Sequence, residues 1–316
     1  MLCINLESGD PFFNLAAEEY LLKSKKENYF IAGINNPSVI IGKHQIAHAE
    51  ANVAFVNEKK IPVIRRISGG GTVYHDRGNL NFTFVRESAS GHQVDFKKHT
   101  QPITDFLLEL NVDARFDGKN QINADGIKIS GNAEHIYKNR VLHHGTLLFE
   151  ASLDNLHAAL KQNPGKYRSR AVQSNRTPVT NLIGRLTEIK SIGVLKTKLI
   201  EYILQREPES EIYNFTPSEV TEIQNIAATK YKSWDWNYAY GPQYLFSNCF
   251  PINEVLHNCI INVKEGIITY CRIDGSEPMK EIAAKFVGQK HMTDELKSVL
   301  TSEKISMDDN ILENFF

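Results

Sequence analysis

Three consecutive glycines, Gly69 to Gly71, stand between Arg65-Arg66-Ile67-Ser68 and Thr72-Val73-Tyr74-His75-Asp76. Such a run does not suit the inside of a helix or strand, because glycine loses more backbone freedom on ordering than any other residue, about 0.5–1 kcal/mol relative to alanine. The chain must turn here, with backbone at positive φ or pressed close to something. The two arginines ahead of the glycines and the Tyr-His-Asp behind them favour a site over a bare turn, since backbone N–H groups beside guanidinium make an anion cradle. It is not a Walker A loop: Gly42-Lys43 is followed by His44, and Pro37 stands where the first glycine belongs. No G-x-G-x-x-G opens a helix either, so a nucleotide would bind by another route.

The residues flanking this loop mix helical and strand periods without regular β-α-β alternation. NLAAEEYLL reads as a helix with Asn14 placed to accept backbone N–H bonds at its start. YFIAGI, SVIIG, VAFV, PVI and Leu80 to Val85 read as strands, followed by a helix over Pro102 to Leu110. VDARF, GIKIS, AEHIY and VLHHGTLLF read as further strands, the last two a hairpin turned at Lys138–Asn139–Arg140. Helices are expected over Leu153 to Leu160, over Ile192 to Leu204, and from the capping box Thr216-Pro217-Ser218-Glu219. After SWDWNYAYGP come a hairpin-like VLHNCIINV, a turn at Glu265–Gly266, IITYCRI and helices from Pro278. The pattern predicts an α+β chain with substantial antiparallel pairing, a large unit over 1–245 and a small α+β unit over 246–316.

Charge and cysteine content narrow the setting. Lys plus Arg number 36 against 37 Asp plus Glu, so no global field draws the protein to nucleic acid or a membrane surface, and neither is expected as a partner. Four cysteines, without a C-x-x-C pair, and a beginning without a basic or apolar leader predict a reduced, cytoplasmic protein. Locally the balance tips: from Asn155 to Thr187 there is no acid, while Lys161, Lys166, Arg168, Arg170, Arg176 and Arg185 are all basic. Such a stretch suits a loop that closes over phosphates.

Two more segments carry chemistry. In GIKISGNA, strand alternation places Lys128 and Ser130 on one face, opposite Ile127 and Ile129. In HHGTLLF, His143 and His144 point to opposite faces and cannot share a metal, and no carboxylate or cysteine stands at ligand spacing, so no zinc site is expected.

Together PFFNLAAEEYLL, GKHQ with Glu50 and Asn52, RRISGGGTVYHDRGNLNFTF, KISGNA, HHGTLL, PVTNL and SWDWN resemble the lipoate-protein ligase A family of the biotin/lipoate ligase superfamily, in order and spacing. The resemblance implies a large mixed-sheet catalytic domain with a small C-terminal domain. It implies ATP-dependent activation of lipoate to lipoyl-AMP, with Mg2+, and transfer to a lysine of lipoyl-acceptor proteins: E2 subunits of 2-oxoacid dehydrogenases and the glycine cleavage H protein. Carried onto this chain, the ATP positions are Arg66, Gly71, Thr72, Val73, Tyr74 and Lys128, with Lys128 also the catalytic lysine. The lipoate positions are Gly70, Gly71, His75, Lys128, Ala133 and His144, and Lys166, Arg168 and Arg170 fall in the adenylate loop, Asn163 to Leu182. The chain departs from the pattern at Asn120-Gln121, where many members have Asn-Asp, and at Thr72, where alanine is common.

Three other functions compete. A transferase using preformed lipoyl-AMP would need the same lysine. A carrier-protein transferase working through a thioester would need a cysteine near it, and none occurs between Cys3 and Cys249. A non-catalytic binder of lipoate or nucleotide would have no need of Arg66, the glycine loop and Lys128 together.

Overall fold

The computed structural model describes residues 1–88, 94–161, 164–305 and 311–316. The chain opens with β1 (Leu2–Leu6), α1 (Pro11–Ser24), β2 (Tyr29–Ile34), β3 (Ser38–Ile41), α2 (Ala47–Glu50) and α3 (Val53–Glu58). Asp10, not Asn14, caps α1, accepting the Phe12 N–H at 2.9 Å. Asn14 lies inside that helix, buried, and donates to Ser8 O and Asn35 Oδ1. The strand expected at VAFV is α3 instead. Four residues fit either period, and the Asn52 side chain, accepting the Phe55 N–H at 3.3 Å, starts the helix.

Next come β4 (Val63–Arg65), β5 (Val73–His75), β6 (Asn79–Glu87), α4 (Phe96–Glu109), β7 (Ala114–Phe116) and β8 (Gln121–Ala124). Helix α4 begins six residues before the expected Pro102, which lies inside it. Asp95 caps its start through the Lys98 N–H at 3.0 Å, and the proline costs one backbone bond without ending the helix. GIKIS and AEHIY are one continuous strand, β9 (Ile127–Tyr137), paired antiparallel with β10 (Arg140–Leu148) through a turn with Lys138 at φ 55°.

Then follow α5 (Leu153–Ala159), β11 (Tyr167–Arg168), α6 (Ile192–Arg206), β12 (Glu211–Ile212) and α7 (Pro217–Ile226), the last opening on a complete capping box between Thr216 and Glu219. Two π-helical turns over Ala227–Tyr231 and Asp235–Ala239 lead to β13 (Tyr244–Ile252), β14 (Val255–Lys264), β15 (Ile267–Asp274), α8 (Glu277–Phe286) and α9 (Thr293–Ser302). The expected division at 245 falls inside β13.

The main sheet has eight strands in the order β12-β1-β2-β6-β10-β9-β8-β7, parallel among β12, β1 and β2 and antiparallel beyond. It is the mixed sheet of an α+β fold. Strand alternation divides its side chains: Phe30, Phe82 and Phe84 pack with Ile103 and Leu107 of α4 and Leu199 and Ile203 of α6, while Ile31, Val85 and Leu142 pack with Leu21 and Leu22 of α1 and Ile223 of α7. Each fully buried phenylalanine contributes about 1.5–3 kcal/mol of transfer free energy. A three-stranded sheet, β4-β3-β5, carries the glycine loop. A third sheet, β11-β13-β14-β15, packs on α8 and α9 through Phe246, Ile261, Ile282, Phe286 and Leu296. No helix among the described residues is long and apolar enough to cross a membrane.

Candidate active site

Residues 66–72 connect the ends of β4 and β5, and their shape is set by one buried side chain. Arg66 donates from Nε to Ser68 Oγ, from Nη1 to Ile40 O, and from Nη2 to Gly69 O at 2.5 Å and Gly71 O at 2.7 Å. Burial lowers its pKa to about 10, which still leaves it charged. The guanidinium therefore turns the loop carbonyls inward and leaves N–H groups to face outward. Gly70 takes φ 83°, and a Cβ at Gly42 would lie 2.0 Å from Gly70 O, so both positive φ and close approach occur at this loop.

The loop roofs a cavity of about 300 Å³. Leu6, Leu15, Ile31 and Ile40 give it an apolar wall. Arg66, Gly70, Gly71, Thr72, Val73, His75, Lys128, Ala133 and His144 all line it, so most of the residues chosen from the sequence converge. Tyr74 is buried and lines a second cavity of about 120 Å³ instead. The two cavities share Thr72, Val73, Lys128, Gly131, Thr146, Ser174 and Asn175. Lys166, Arg168 and Arg170 line neither: Lys166 Nζ lies over the Phe246 ring, and Arg168 pairs with Leu245 in the third sheet. Of the expected loop, Asn163 lies outside the described residues, whereas Val172 to Asn175 reach the cavity.

Lys128 reaches its position through an irregularity. Ile122 pairs with Ser130 but Asn123 pairs with Lys128, so Ile129 is an extra residue in β9, a β-bulge. Beyond the bulge, alternation resumes with Gly131 and Ala133 on the cavity face. Lys128 thus shares that face with Gly131, whose added Cβ would lie 3.2 Å from Nζ, and not with Ser130, which is fully buried away from the cavity. Burial lowers the Lys128 pKa, an effect that Asp117 opposes. No carboxylate among the described residues pairs with it.

His144 is clamped, with Nδ1 2.8 Å from Glu18 Oε2 and Nε2 2.6 Å from Ser68 Oγ. Thr83 Oγ1 donates to the other Glu18 oxygen at 2.6 Å. His75 Nδ1 lies 2.9 Å from Asn35 Nδ2, while its Nε2 is buried without a protein partner. Burial, reinforced by Arg66 and His144, lowers the His75 pKa to about 3, so the ring is neutral and Nε2 carries the proton, a donor that a polar ligand atom would satisfy. Asn14, Glu18, Asn35, Asn81, Thr83 and Ser174 also line the cavity, none of them having been named as a site residue from the sequence. The i, i+4 spacing of Asn14 and Glu18 on one helix is the only local signal among them.

Residues 10–204 match the model of the lipoyl protein ligase A/B catalytic domain family. The chain is 40% identical over 268 residues to lipoate-protein ligase 1 of Staphylococcus aureus, covering 84% of this chain and 81% of that protein. It is 35% identical over 307 residues to the lipoate-protein ligase LplJ of Bacillus subtilis, covering 94% and 92%. The fold is similar to a crystal structure of lipoate-protein ligase A bound with ATP, with TM-score 0.62 and 26% identity over 75% of this chain and 97% of that one.

Proposed function

The chain belongs to the lipoyl protein ligase A/B family and is a lipoate-protein ligase, and from that premise we propose how its two cavities divide the reaction. The observation that carries the reading is the unpaired Lys128 ammonium at the junction of the two. The larger cavity takes the lipoyl chain along Leu6, Leu15, Ile31 and Ile40. The smaller one, walled by Tyr74, Leu148, Leu156 and Val179, takes the adenosine, with the N–H groups of the glycine loop toward the phosphates.

In the first step a lipoate carboxylate oxygen attacks the α-phosphorus of ATP, and the bond to the β-phosphate oxygen breaks to release pyrophosphate. In the second, the neutral ε-amine of an acceptor lysine attacks the acyl carbon, AMP leaves, and the amine gives up a proton. Both reactants of the first step are anions. A fixed ammonium between them offsets their repulsion and stabilises the charge that develops, an effect worth about 10²–10³ in rate for a single well-placed donor. His144, held by Glu18 and Ser68, and His75, with its free Nε2–H, position the acyl end.

Magnesium enters with the nucleotide. The carboxylates lining the two cavities among the described residues are Glu18, taken by His144 and Thr83, and Glu50, taken by Ser174. Asn120 and Gln121 offer only neutral amides. Among the described residues the cavity walls therefore present no free carboxylate to the ion, and no step is routed through it. Lys166, Arg168 and Arg170 would reach the adenylate only after a shift of their segment. The acceptors are E2 subunits of 2-oxoacid dehydrogenases and the glycine cleavage H protein, and the four unpaired cysteines suit a cytoplasmic enzyme.

Pyrophosphate release on mixing the protein with lipoate and ATP tests the reading. Release that requires both substrates supports it. Transfer from supplied lipoyl-AMP without any release would replace the ligase with a transferase.

A further inference from the structure

Behind the cavity wall the fold assembles a cluster that lies apart from the acyl chemistry. His99 comes from α4, Glu134 from β9 and His143 from β10. Their side chains are 4%, 1% and 0% exposed. His143 Nδ1 lies 2.8 Å and His99 Nδ1 3.1 Å from the same oxygen, Glu134 Oε1. His99 Nδ1 is also 2.9 Å from the backbone carbonyl of Asp95. The two rings stack at 5.2 Å, flanked by Phe82 and Phe96.

As a neutral ring, His143 has one proton too few for its partners. His143 faces an acceptor at each nitrogen: Glu134 Oε1 at Nδ1 and Asn132 Oδ1 at Nε2, 3.3 Å away. The Asn132 amide cannot turn without cost, because its Nδ2 donates to Asn120 O and Ser130 Oγ on the other side. A neutral imidazole has one N–H for these two acceptors.

We propose that His99 Nδ1, His143 Nδ1 and Glu134 Oε1 bind one divalent transition-metal ion of the zinc class, with the Asp95 carbonyl beside it as a further oxygen donor. The three ligand atoms all lie within 4.8 Å of one another. Two imidazoles and a carboxylate are a donor set that zinc accepts, needing shifts of a few tenths of an ångström to reach about 2.0–2.2 Å. The ion takes the place of the protons shared around Oε1. The single proton of His143 then sits on Nε2 and donates to Asn132 Oδ1, so each polar atom of that ring has a partner. The metal ties the start of α4 to the β9–β10 hairpin and, through His143, fixes Asn132 in the cavity wall. It takes no part in the ligation, and access is short, since Asp95 is exposed.

The test uses the full chain, stripped with a chelator and dialysed against excess Zn2+ or Co2+. Metal analysis should find one zinc per chain, Co2+ should give visible bands of a four- or five-coordinate site, and zinc should raise the thermal midpoint. Glu134→Gln, and separately the double variant His99→Gln/His143→Gln, should lose at least tenfold in zinc affinity and lose the cobalt bands. Absence of stoichiometric zinc in the wild-type protein overturns the proposal without reference to any variant. Zinc retained at wild-type affinity by both variants would place the ion elsewhere and equally overturn it.

Discussion

Ser174 reaches out of the basic segment and accepts the Thr72 backbone N–H at 2.8 Å, so the side chain of one loop occupies a donor of the other. Its hydroxyl donates to Glu50 Oε2 at 2.5 Å, and Gln45 bridges the pair, donating to Ser174 Oγ and accepting from Thr72 Oγ1. A nucleotide phosphate that needs the Thr72 N–H must take it from Ser174. In Ser174→Ala the free enzyme should be cut several-fold faster by trypsin at the exposed Arg168, Arg170 and Arg176, while lipoate plus ATP restores protection. Equal cleavage with and without ligands, in wild type and variant alike, would rule out a loop that answers to the nucleotide.

Replacing Lys128 with alanine should stop both pyrophosphate release and transfer from supplied lipoyl-AMP, each by about 10² or more, with the thermal midpoint within a few degrees of wild type. Arginine should not rescue, because its planar fork cannot present the same point charge at that depth. Near-normal turnover in either half-reaction would remove Lys128 from that step.

Gly42→Ala probes the roof of the cavity from behind. The new Cβ would start 2.0 Å from Gly70 O, so the glycine loop must move before the chain can fold. We expect a rise of about tenfold or more in KM for ATP and a stability loss of about 1–3 kcal/mol. An unchanged KM would show that the loop geometry is not what holds the nucleotide.

The cysteines should be dispensable. An adenylate route never attaches the acyl group to the enzyme, and none of Cys3, Cys249, Cys259 and Cys271 lines either cavity. A variant with all four changed to Ser or Ala should keep ATP-dependent lipoylation, less about 1 kcal/mol of stability for each of the buried Cys3 and Cys259. A hydroxylamine-labile acyl label on the wild-type protein, absent along with activity in the variant, would point to a thioester mechanism.

Acid should weaken the fold through Glu219. Burial pushes this carboxyl up, but Lys25, the Thr216 N–H and Tyr213 more than offset it, bringing the pKa from 4.5 to about 2. A carboxylate depressed in the folded state stabilises above its unfolded value and loses that contribution as pH falls through about 4.5 toward 2. The thermal midpoint of the wild-type protein should fall across this window, and that of Glu219→Gln should start lower and fall less. Parallel curves would assign the acid loss to other groups.

Where a signal is local, the sequence carries it. The capping box at Thr216, the turn at Lys138 and the bend at Gly69 to Gly71 depend on neighbours a few residues away, and each stands where the pattern places it. What depends on distant partners was hidden. VAFV is too short for its period to decide, and Pro102 is tolerated because packing on the sheet outweighs one missing bond. At the site, glycines, lysine and histidines stand out by type, whereas Glu18, Asn35, Thr83 and Ser174 are ordinary polar residues until strands and loops far apart in the chain bring them together. The carboxylate facing His143 sits on the neighbouring strand of a hairpin, where no spacing rule along the chain would find it.

The extra residue at Ile129 makes the reactive end of this protein a matter of parity. Three positions separate Lys128 from Gly131, an odd count that regular alternation sends to opposite faces, and the bulge at Ile129 is what returns the ammonium, two strands in from the sheet's edge, to the chamber side. Flattening the bulge while keeping every residue would leave all the conspicuous motifs legible and turn the lysine away from the chamber, whereas excising Ile129 would restore an unbroken ladder with the lysine still facing it. A chain can therefore keep every letter of the signature and lose the chemistry by a single step of registration.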